Sequence, residues 1–328
     1  MESAALDSLA ARFRAEKYID QNRYVLELPV RSPLFVLGMP RTGTTLLSHL
    51  LDLDPSRRSL LQWELQHPVP PPRTETLRTD DRCMALLKQQ NELLRERPDL
   101  AMVHWEFADE PTECTELHLQ DFKALSLFPA PNYNSWVIDC DMTSAYQYQK
   151  SILQMRQSTA PGRWVLKMPC HALYIPYLIN VFPDARLIWT HRDPYRALAS
   201  FCSLVRFYRE QSGLNPDLAG IARQCVELAQ AIIDRPRSAR KNLAQDQIYD
   251  LHYSDLVRDP IGEVRRIYQW LGEVFPSPLE DHMRGWLATH AQHRFGKHRY
   301  SLSEFGLEIE DLRPLFDGYV GEYAVQLE

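Results

Sequence analysis

Residues 38–45 bring one cation, two glycines and three hydroxyl groups together in the sequence Gly-Met-Pro-Arg-Thr-Gly-Thr-Thr. The separation of Gly38 and Gly43 matches the G-x-x-x-x-G spacing of a phosphate-binding P-loop. Gly43 lets backbone N–H groups approach an anion closely, and the N-terminus of the helix predicted next adds partial positive charge. The side chains that supply further donors are Arg41, Thr42, Thr44 and Thr45. The segment therefore predicts an anion-binding loop.

The same loop departs from that of a nucleoside triphosphatase, in which lysine and then serine or threonine follow the second glycine. Here Thr44 and Thr45 occupy those positions, and the cation lies upstream at Arg41. Without that lysine the loop is poorly equipped to hold a β/γ-phosphate and its Mg²⁺. The alternative to an anion site is a tight strand–helix turn in which glycine serves packing alone.

A second group of residues suited to anions follows the apolar run 185–190. Asp193 and Pro194 are a good N-cap and first residue of a helix, so Arg192 is placed at the tip of a strand. Its planar guanidinium suits a phosphate, and Ser200 lies about two turns into the helix. Taken alone, the pattern also fits an arginine paired with a nearby acid. Two such sites at neighbouring strand ends suit a ligand with charged groups at both ends.

Short apolar runs predict the strands that must position these residues. Because they lack alternation with polar residues, they are typical of a parallel sheet covered on both faces. The runs are 34–38, 164–167 and 185–190, with a fourth at 248–253. Helical patterns lie at 44–53, 80–97, 144–158, 171–182, 195–210, 218–234, 261–272 and 279–291. We predict an α/β fold with a P-loop-like, doubly wound parallel sheet flanked by helices, and ligands at the carboxyl ends of its strands.

We divide the chain into an N-terminal helical extension, residues 1–32, and a single domain with helical insertions, residues 33–328. The formal net charge of -6 disfavours broad nucleic-acid binding, so an anion site must be a local basic pocket. The six cysteines form no C-x-x-C pair and fit a reducing compartment. No apolar run is long enough for a signal peptide or a membrane span. We therefore expect a cytoplasmic protein.

The two anion motifs together resemble those of the sulfotransferases that use 3′-phosphoadenosine 5′-phosphosulfate (PAPS). The family's 5′-phosphosulfate loop is similar to residues 38–45, and its 3′-phosphate motif is similar to Arg192 with Ser200. The segment HYSDLVRDP at 252–260 also resembles the family, which implies that Tyr253 lies near the nucleotide. The resemblance implies PAPS as the donor, 3′-phosphoadenosine 5′-phosphate (PAP) as the product, and no metal.

The resemblance extends from residue 33 to the end of the sequence. The signature R-K-G-x-x-G-D-W-K of the mammalian cytosolic branch is absent. We expect residues 294–298 to take a related role in nucleotide binding. The nucleotide-binding residues implied by the resemblance are Arg41, Thr42, Gly43, Thr44, Thr45, Arg192, Ser200, Tyr253, Lys297 and His298.

Sulfonyl transfer needs an acceptor hydroxyl in line with sulfur, a base for its proton, and cations near the leaving phosphate oxygen. Lys167 ends a predicted strand and therefore faces the ligand crevice. We assign charge stabilisation to Lys167 and Arg41. Two residues are candidates for the base. Glu64 lies where several sulfotransferase branches carry a catalytic glutamate, and His171 lies near Lys167 and has a side-chain pKa suited to neutral pH. We favour Glu64.

The stretch 104–114 is dense in acidic residues and contains one histidine and one cysteine. It fits a metal site, a solvated loop or a wall of the acceptor pocket, and we favour the last two. No other metal constellation stands out.

Two other functions are alternatives. A P-loop kinase acting on a small molecule predicts a lysine after Gly43 and a carboxylate at a strand end for Mg²⁺. A non-catalytic nucleotide-binding protein of the same fold predicts loss of Lys167 and of both candidate bases. The sequence leaves the acceptor open, as a hydroxyl or amine on a small molecule, a lipid or a glycan. It also leaves open whether the chain forms a homo-oligomer.

Overall fold

The computed structural model describes residues 2–102, 105–290 and 300–328. Within these ranges the strands are β1 (Leu34–Gly38), β2 (Arg57–Ser59), β3 (Arg163–Lys167), β4 (Arg186–His191) and β5 (Ile248–His252). They form one parallel sheet in the order β2-β3-β1-β4-β5. The four strands predicted from apolar runs are confirmed. The short edge strand β2 escaped prediction because two of its three residues are arginines.

Fourteen α-helices lie in the described ranges. They are α1 (Glu2–Gln21), α2 (Thr44–Asp52), α3 (Gln62–Gln66), α4 (Asp81–Glu96), α5 (Thr115–Gln120), α6 (Pro131–Asp139), α7 (Thr143–Gln157), α8 (Ile175–Val181), α9 (Pro194–Gln211), α10 (Leu218–Ala239), α11 (Tyr253–Arg258), α12 (Pro260–Leu271), α13 (Ser277–Thr289) and α14 (Ile309–Glu322). The pattern missed α3, α5, α6, α11 and α14. Three of these, α3, α5 and α11, have only five or six residues, too few to show a helical period.

The sheet is covered on both faces. Successive side chains of a strand point to opposite faces, so Phe35 and Leu37 of β1 join one core while Leu34 and Val36 join the other. Helices α7 to α10 contribute to the first core, and α2, α12 and α13 contribute to the second. The predicted doubly wound α/β fold is confirmed.

Helix α1 packs against this domain. Ala15 and Ile19 belong to the larger core, and Arg12 Nη1 donates to Asp121 Oδ1 at 2.6 Å. The division at residue 32 stays a prediction. No helix in the described ranges is both long and apolar enough to cross a bilayer.

Candidate active site

The loop between β1 and α2 requires glycine at two positions because it passes very close to its neighbours. Gly38 has φ +141°, and a Cβ there would lie 2.4 Å from Thr190 Oγ1 on β4. Gly43 has φ +90°, and a Cβ there would lie 3.0 Å from Tyr253 Cδ2. Residues with a side chain rarely adopt these conformations. Glycine therefore lets the loop close against β4 and the start of α11.

The three hydroxyl groups of the loop have different surroundings. Thr42 Oγ1 donates to Met39 O at 2.6 Å and lies 2.5 Å from Thr190 Oγ1, in a buried position. Its hydroxyl holds the loop together, and the assignment of Thr42 to the nucleotide stays a prediction. Thr44 and Thr45 instead begin α2 and line the cavities described below. At a helix N-terminus, their hydroxyl and N–H groups suit an anion.

The fold brings Arg41, Arg192 and Ser200 together. Arg41 Nε donates to Ser200 Oγ at 3.0 Å, and Arg192 Nη1 donates to Arg41 O at 2.7 Å. The guanidinium carbon of Arg192 lies 4.0 Å from the centre of the Tyr253 ring. Burial, with a smaller contribution from the charge of Arg192, lowers the pKa of Arg41. The two predicted anion motifs therefore form one basic surface.

Arg192 also holds a carboxylate. Its Nε and Nη2 donate to Glu328 Oε1 and Oε2 at 2.6 and 2.8 Å, which is a bidentate pair. The backbone N–H of Glu328 donates to Asp193 Oδ2 at 2.9 Å. Asp193 also caps α9, as predicted, by accepting from the N–H of Tyr195 at 2.8 Å. The planar fork of Arg192 is thus already engaged by an acidic group.

Two cavities meet at the loop. The larger one has a volume of about 810 Å³, and its lining includes Arg192, Tyr253, Trp105, Phe107 and Trp286. The smaller one has a volume of about 200 Å³, and its lining includes Leu125, Leu127, Met168, Phe201 and Leu204. Arg41, Thr44 and Thr45 line both cavities. Ligands in the two cavities would therefore meet at the phosphate loop.

Lys167, at the end of β3, lies between two acidic residues that sequence reasoning did not single out. Its Nζ is 3.0 Å from Glu106 Oε1 and 3.0 Å from Glu113 Oε1. Burial would lower the pKa of Lys167, but the two carboxylates raise it above its ordinary value. The side chain is therefore an ammonium. Trp105 and Phe107, which flank Glu106, line the larger cavity, and Glu113 lines the smaller one.

Glu106 and Glu113 belong to the acid-rich stretch 104–114, for which the sequence offered three interpretations, one of them a pocket wall. Glu113 fits that interpretation. Among the residues that the structure describes, no group of three or more His, Cys, Asp or Glu side chains is placed to hold a metal ion.

Glu64, the favoured base, lies away from both cavities. Its fully buried carboxylate accepts from Arg58 Nη2 at 2.5 Å and from the N–H of Leu61 at 3.0 Å, and it lies 3.0 Å from Arg156 Nη1. Burial would raise the pKa of Glu64, but the charges of Arg58 and Arg156 hold it below its ordinary value. The carboxylate is a buried, paired anion that lines neither cavity, and its assignment as the base stays a prediction.

His171 is likewise removed from the cavities. Its Nδ1 lies 2.8 Å from Tyr146 Oη, and its ring packs edge-on against Phe35 with the ring centres 5.0 Å apart. Burial holds the pKa of His171 well below its ordinary value, which makes it a weak base. The structure therefore brings neither predicted base to the phosphate loop. Lys297 and His298 lie outside the described residues, and their assignment stays a prediction.

The chain resembles known proteins along most of its length. Residues 33–277 match the model of a family described as the sulfotransferase family. The crystal structure of sulfotransferase STF9 from Mycobacterium avium has 46% identity and a TM-score of 0.91, over 99% of this chain and 85% of that one. That of sulfotransferase STF1 from Mycobacterium tuberculosis H37Rv has 29% identity and a TM-score of 0.85, over 96% and 84%. A curated relative from Mycobacterium bovis, omega-hydroxy-beta-dihydromenaquinone-9 sulfotransferase Stf3, is 25% identical over 306 residues, 88% of this chain and 74% of the relative.

Replacing Glu64 should destabilise the protein. Glu64→Gln leaves two buried arginines without their counter-charge, and breaking a buried pair in this way costs about 3–5 kcal/mol. Urea denaturation measures this loss. Glu280→Gln, which removes an exposed partner of Arg284, is the control and should unfold near the wild-type midpoint. Normal stability combined with a large loss of turnover would instead return Glu64 to the reacting centre.

The same variant should change how stability depends on pH. Because folding lowers the pKa of Glu64, its ionised form stabilises the fold above the pKa of the unfolded chain. That contribution is lost as the pH falls through the folded-state pKa. Glu64→Gln should therefore lose less stability on acidification than the wild type.

Proposed function

The chain belongs to the sulfotransferase family and transfers a sulfonate group, and we propose that PAPS is its donor and an apolar alcohol its acceptor. The observation that carries the proposal is the loop shared by the two cavities. Arg41, Thr44 and Thr45 line both of them, so a sulfonate held at the loop is accessible from either side. In-line transfer requires the donor and acceptor to approach the sulfur from opposite sides.

The larger cavity suits the nucleotide. Arg192 at the tip of β4 provides the fork that a 3′-phosphate needs, with Tyr253 against its guanidinium and Ser200 bonded to the neighbouring Arg41. The 5′-phosphosulfate then lies at the N-terminus of α2, where Thr44 and Thr45 donate. Aromatic side chains such as Trp286 offer the adenine an apolar surface. PAP is the product that leaves this cavity.

The smaller cavity suits the acceptor. Its walls are mainly apolar side chains from α9 and from residues 124–127. Such a lining favours the hydroxyl-bearing end of an apolar molecule over a glycan, whose many hydroxyls would lose their hydrogen bonds to water. The Mycobacterium bovis relative is named for a hydroxylated menaquinone, which is an acceptor of this kind.

Cations near the loop serve the chemical step. Negative charge grows on the phosphate oxygen that bridges to sulfur as the bond breaks, so a fixed cation there stabilises the transition state more than the ground state. Arg41 lies in the loop itself, and the Lys167 ammonium lies between walls of the two cavities. We assign this stabilisation to both residues.

Replacing Arg192 should weaken nucleotide binding selectively. Arg192→Ala removes charged hydrogen bonds to the 3′-phosphate, so the affinity for PAP should fall by about 1.5–3 kcal/mol, or roughly 10- to 150-fold. Isothermal titration calorimetry measures the affinity for PAP. The control is Arg163→Ala, at the opposite end of the sheet, which should leave PAP affinity unchanged. If the wild type binds adenosine 5′-phosphosulfate as tightly as PAPS, Arg192 does not read a 3′-phosphate.

Sulfonate transfer should not depend on a metal ion. Thr44 replaces the lysine that reaches the β/γ-phosphates in triphosphatases, and a single transferred sulfonate carries less charge than a triphosphate. With PAPS and a simple phenol as acceptor, EDTA should leave the rate unchanged. A complete loss that Mg²⁺ restores would favour the small-molecule kinase.

A further inference from the structure

We propose that Glu113 accepts the proton of the attacking hydroxyl, a role that rests on the proposed sulfonate transfer. Among the described residues that line the smaller cavity, Glu113 is the one carboxylate. It shares that cavity with Arg41 and Thr45 of the phosphate loop. An acceptor that reaches the loop through this cavity therefore passes the carboxylate.

Tyr208 lies in the same cavity as Glu113 and is influenced by the charged side chains of the site. Tyr208 lines the same cavity, and burial raises its pKa to about 12, with Glu106 and Glu113 adding to the effect. Arg41 and Lys167 act on the same phenol in the opposite direction. Glu113, Arg41 and Lys167 thus all act electrostatically on one side chain of the smaller cavity.

The backbone holds Glu113 in a fixed position. It forms a parallel bridge with Lys167, and the N–H of Cys114 donates to Lys167 O at 2.9 Å. Thr115 Oγ1 donates to Glu113 Oε2 at 3.0 Å, while Lys167 holds Oε1. A carboxylate has about four lone-pair sites, so both oxygens can still accept a hydrogen bond from an acceptor.

His118 is a second side chain of the smaller cavity that could accept a proton. It lines the same cavity, and its Nε2 lies 3.0 Å from Gln149 Oε1. Burial lowers its pKa to about 4. The Nε2 of His118 is engaged by Gln149, whereas both carboxylate oxygens of Glu113 can still accept a hydrogen bond, so we favour Glu113.

The step balances without a further reactant. The acceptor oxygen forms a bond to sulfur as the bond from sulfur to the bridging phosphate oxygen breaks. The electron pair of that bond goes to the phosphate of PAP, and the hydroxyl proton goes to Glu113. The protonated carboxyl then returns its proton to water before the next turnover.

Glu113→Gln and Glu106→Gln form a matched pair, because each removes one carboxylate from Lys167. With PAPS and a series of apolar alcohols and phenols, Glu113→Gln should lower kcat roughly 10²- to 10⁴-fold while PAP affinity stays within about twofold. The loss should shrink for the more acidic phenols, which need less help from a base. Glu106→Gln should lose far less, and its rates should depend on acceptor acidity as in the wild type.

Equal losses of kcat in the two variants would overturn the proposal, because both variants remove a carboxylate partner of Lys167 and a shared loss would come from the disturbed lysine. A loss of kcat in Glu113→Gln that is equally large for weakly and strongly acidic acceptors would overturn it too. So would a loss of kcat that shrinks for the more acidic phenols in His118→Gln but not in Glu113→Gln. Glu113→Asp keeps the charge beside Lys167 but shortens its reach, so it should lower kcat in a folded protein. Failure of the wild type to bind PAP would refute the proposed donor rather than the base.

A second inference rests on a separate contact. We infer that the Glu328 carboxylate occupies the position of the 3′-phosphate and must leave Arg192 before the nucleotide binds. Carboxylate and phosphate engage a guanidinium through the same bidentate geometry, which Glu328 already uses. Its backbone is held separately by Asp193, so the side chain can turn away while the segment stays in place. Nucleotide binding is then opposed by an internal competitor.

Glu328→Gln should raise PAP affinity about 2- to 10-fold and leave the affinity for adenosine 5′-monophosphate, which lacks the 3′-phosphate, unchanged. Glu322→Gln, which removes the partner of Arg237, is the control and should leave PAP affinity unchanged. The gain should vanish in the Arg192→Ala background. An unchanged or lower PAP affinity, an equal gain for the monophosphate, or a gain that survives Arg192→Ala would each overturn the inference.

Discussion

A carboxylate without solvent contact organises the edge of the sheet next to the reacting centre. Glu64 is held by Arg58 of β2 and Arg156 of α7, so one buried anion joins the sheet to the helix layer. Taking these charges out of water is costly, and their mutual attraction offsets that cost only while the geometry holds. The same carboxylate accepts from the N–H of Leu61, which fixes the chain where it turns into α3.

That fixed segment leads to Glu113 in the wall of the smaller cavity. Leu61 bridges to Pro111, and the N–H of Thr112 donates to Leu60 O at 2.9 Å. The next residue, Glu113, then runs alongside the end of β3. The buried ion pairs of Glu64 and the backbone pairing of residues 60–61 with 111–112 together fix where Glu113 lies. Glu64, a candidate base from the sequence, thus supports the segment that positions Glu113.

The basic side chains of the site are balanced in different ways. Lys167 lies between two carboxylates and Arg192 holds one, whereas the Nε of Arg41 donates to the neutral hydroxyl of Ser200. In a chain with a formal net charge of -6, this local basic surface allows anion binding although the protein as a whole is acidic. A buried guanidinium beside a neutral partner gains more from an incoming anion than one that is already paired.

The sequence by itself determined what depends on contiguous residues. The loop at 38–45, the capped start of α9 after Arg192 and the buried strands were all readable, because glycine spacing, N-caps and apolar runs act within one turn or strand. The surroundings of the acidic residues were not readable. Glu64 meets Arg156 across 92 residues, and Glu113 meets Lys167 across 54. A carboxylate can be buried and paired with cations, or it can line a cavity that water enters. Tertiary packing alone decides between these, because it sets which cations and how much water reach the carboxylate.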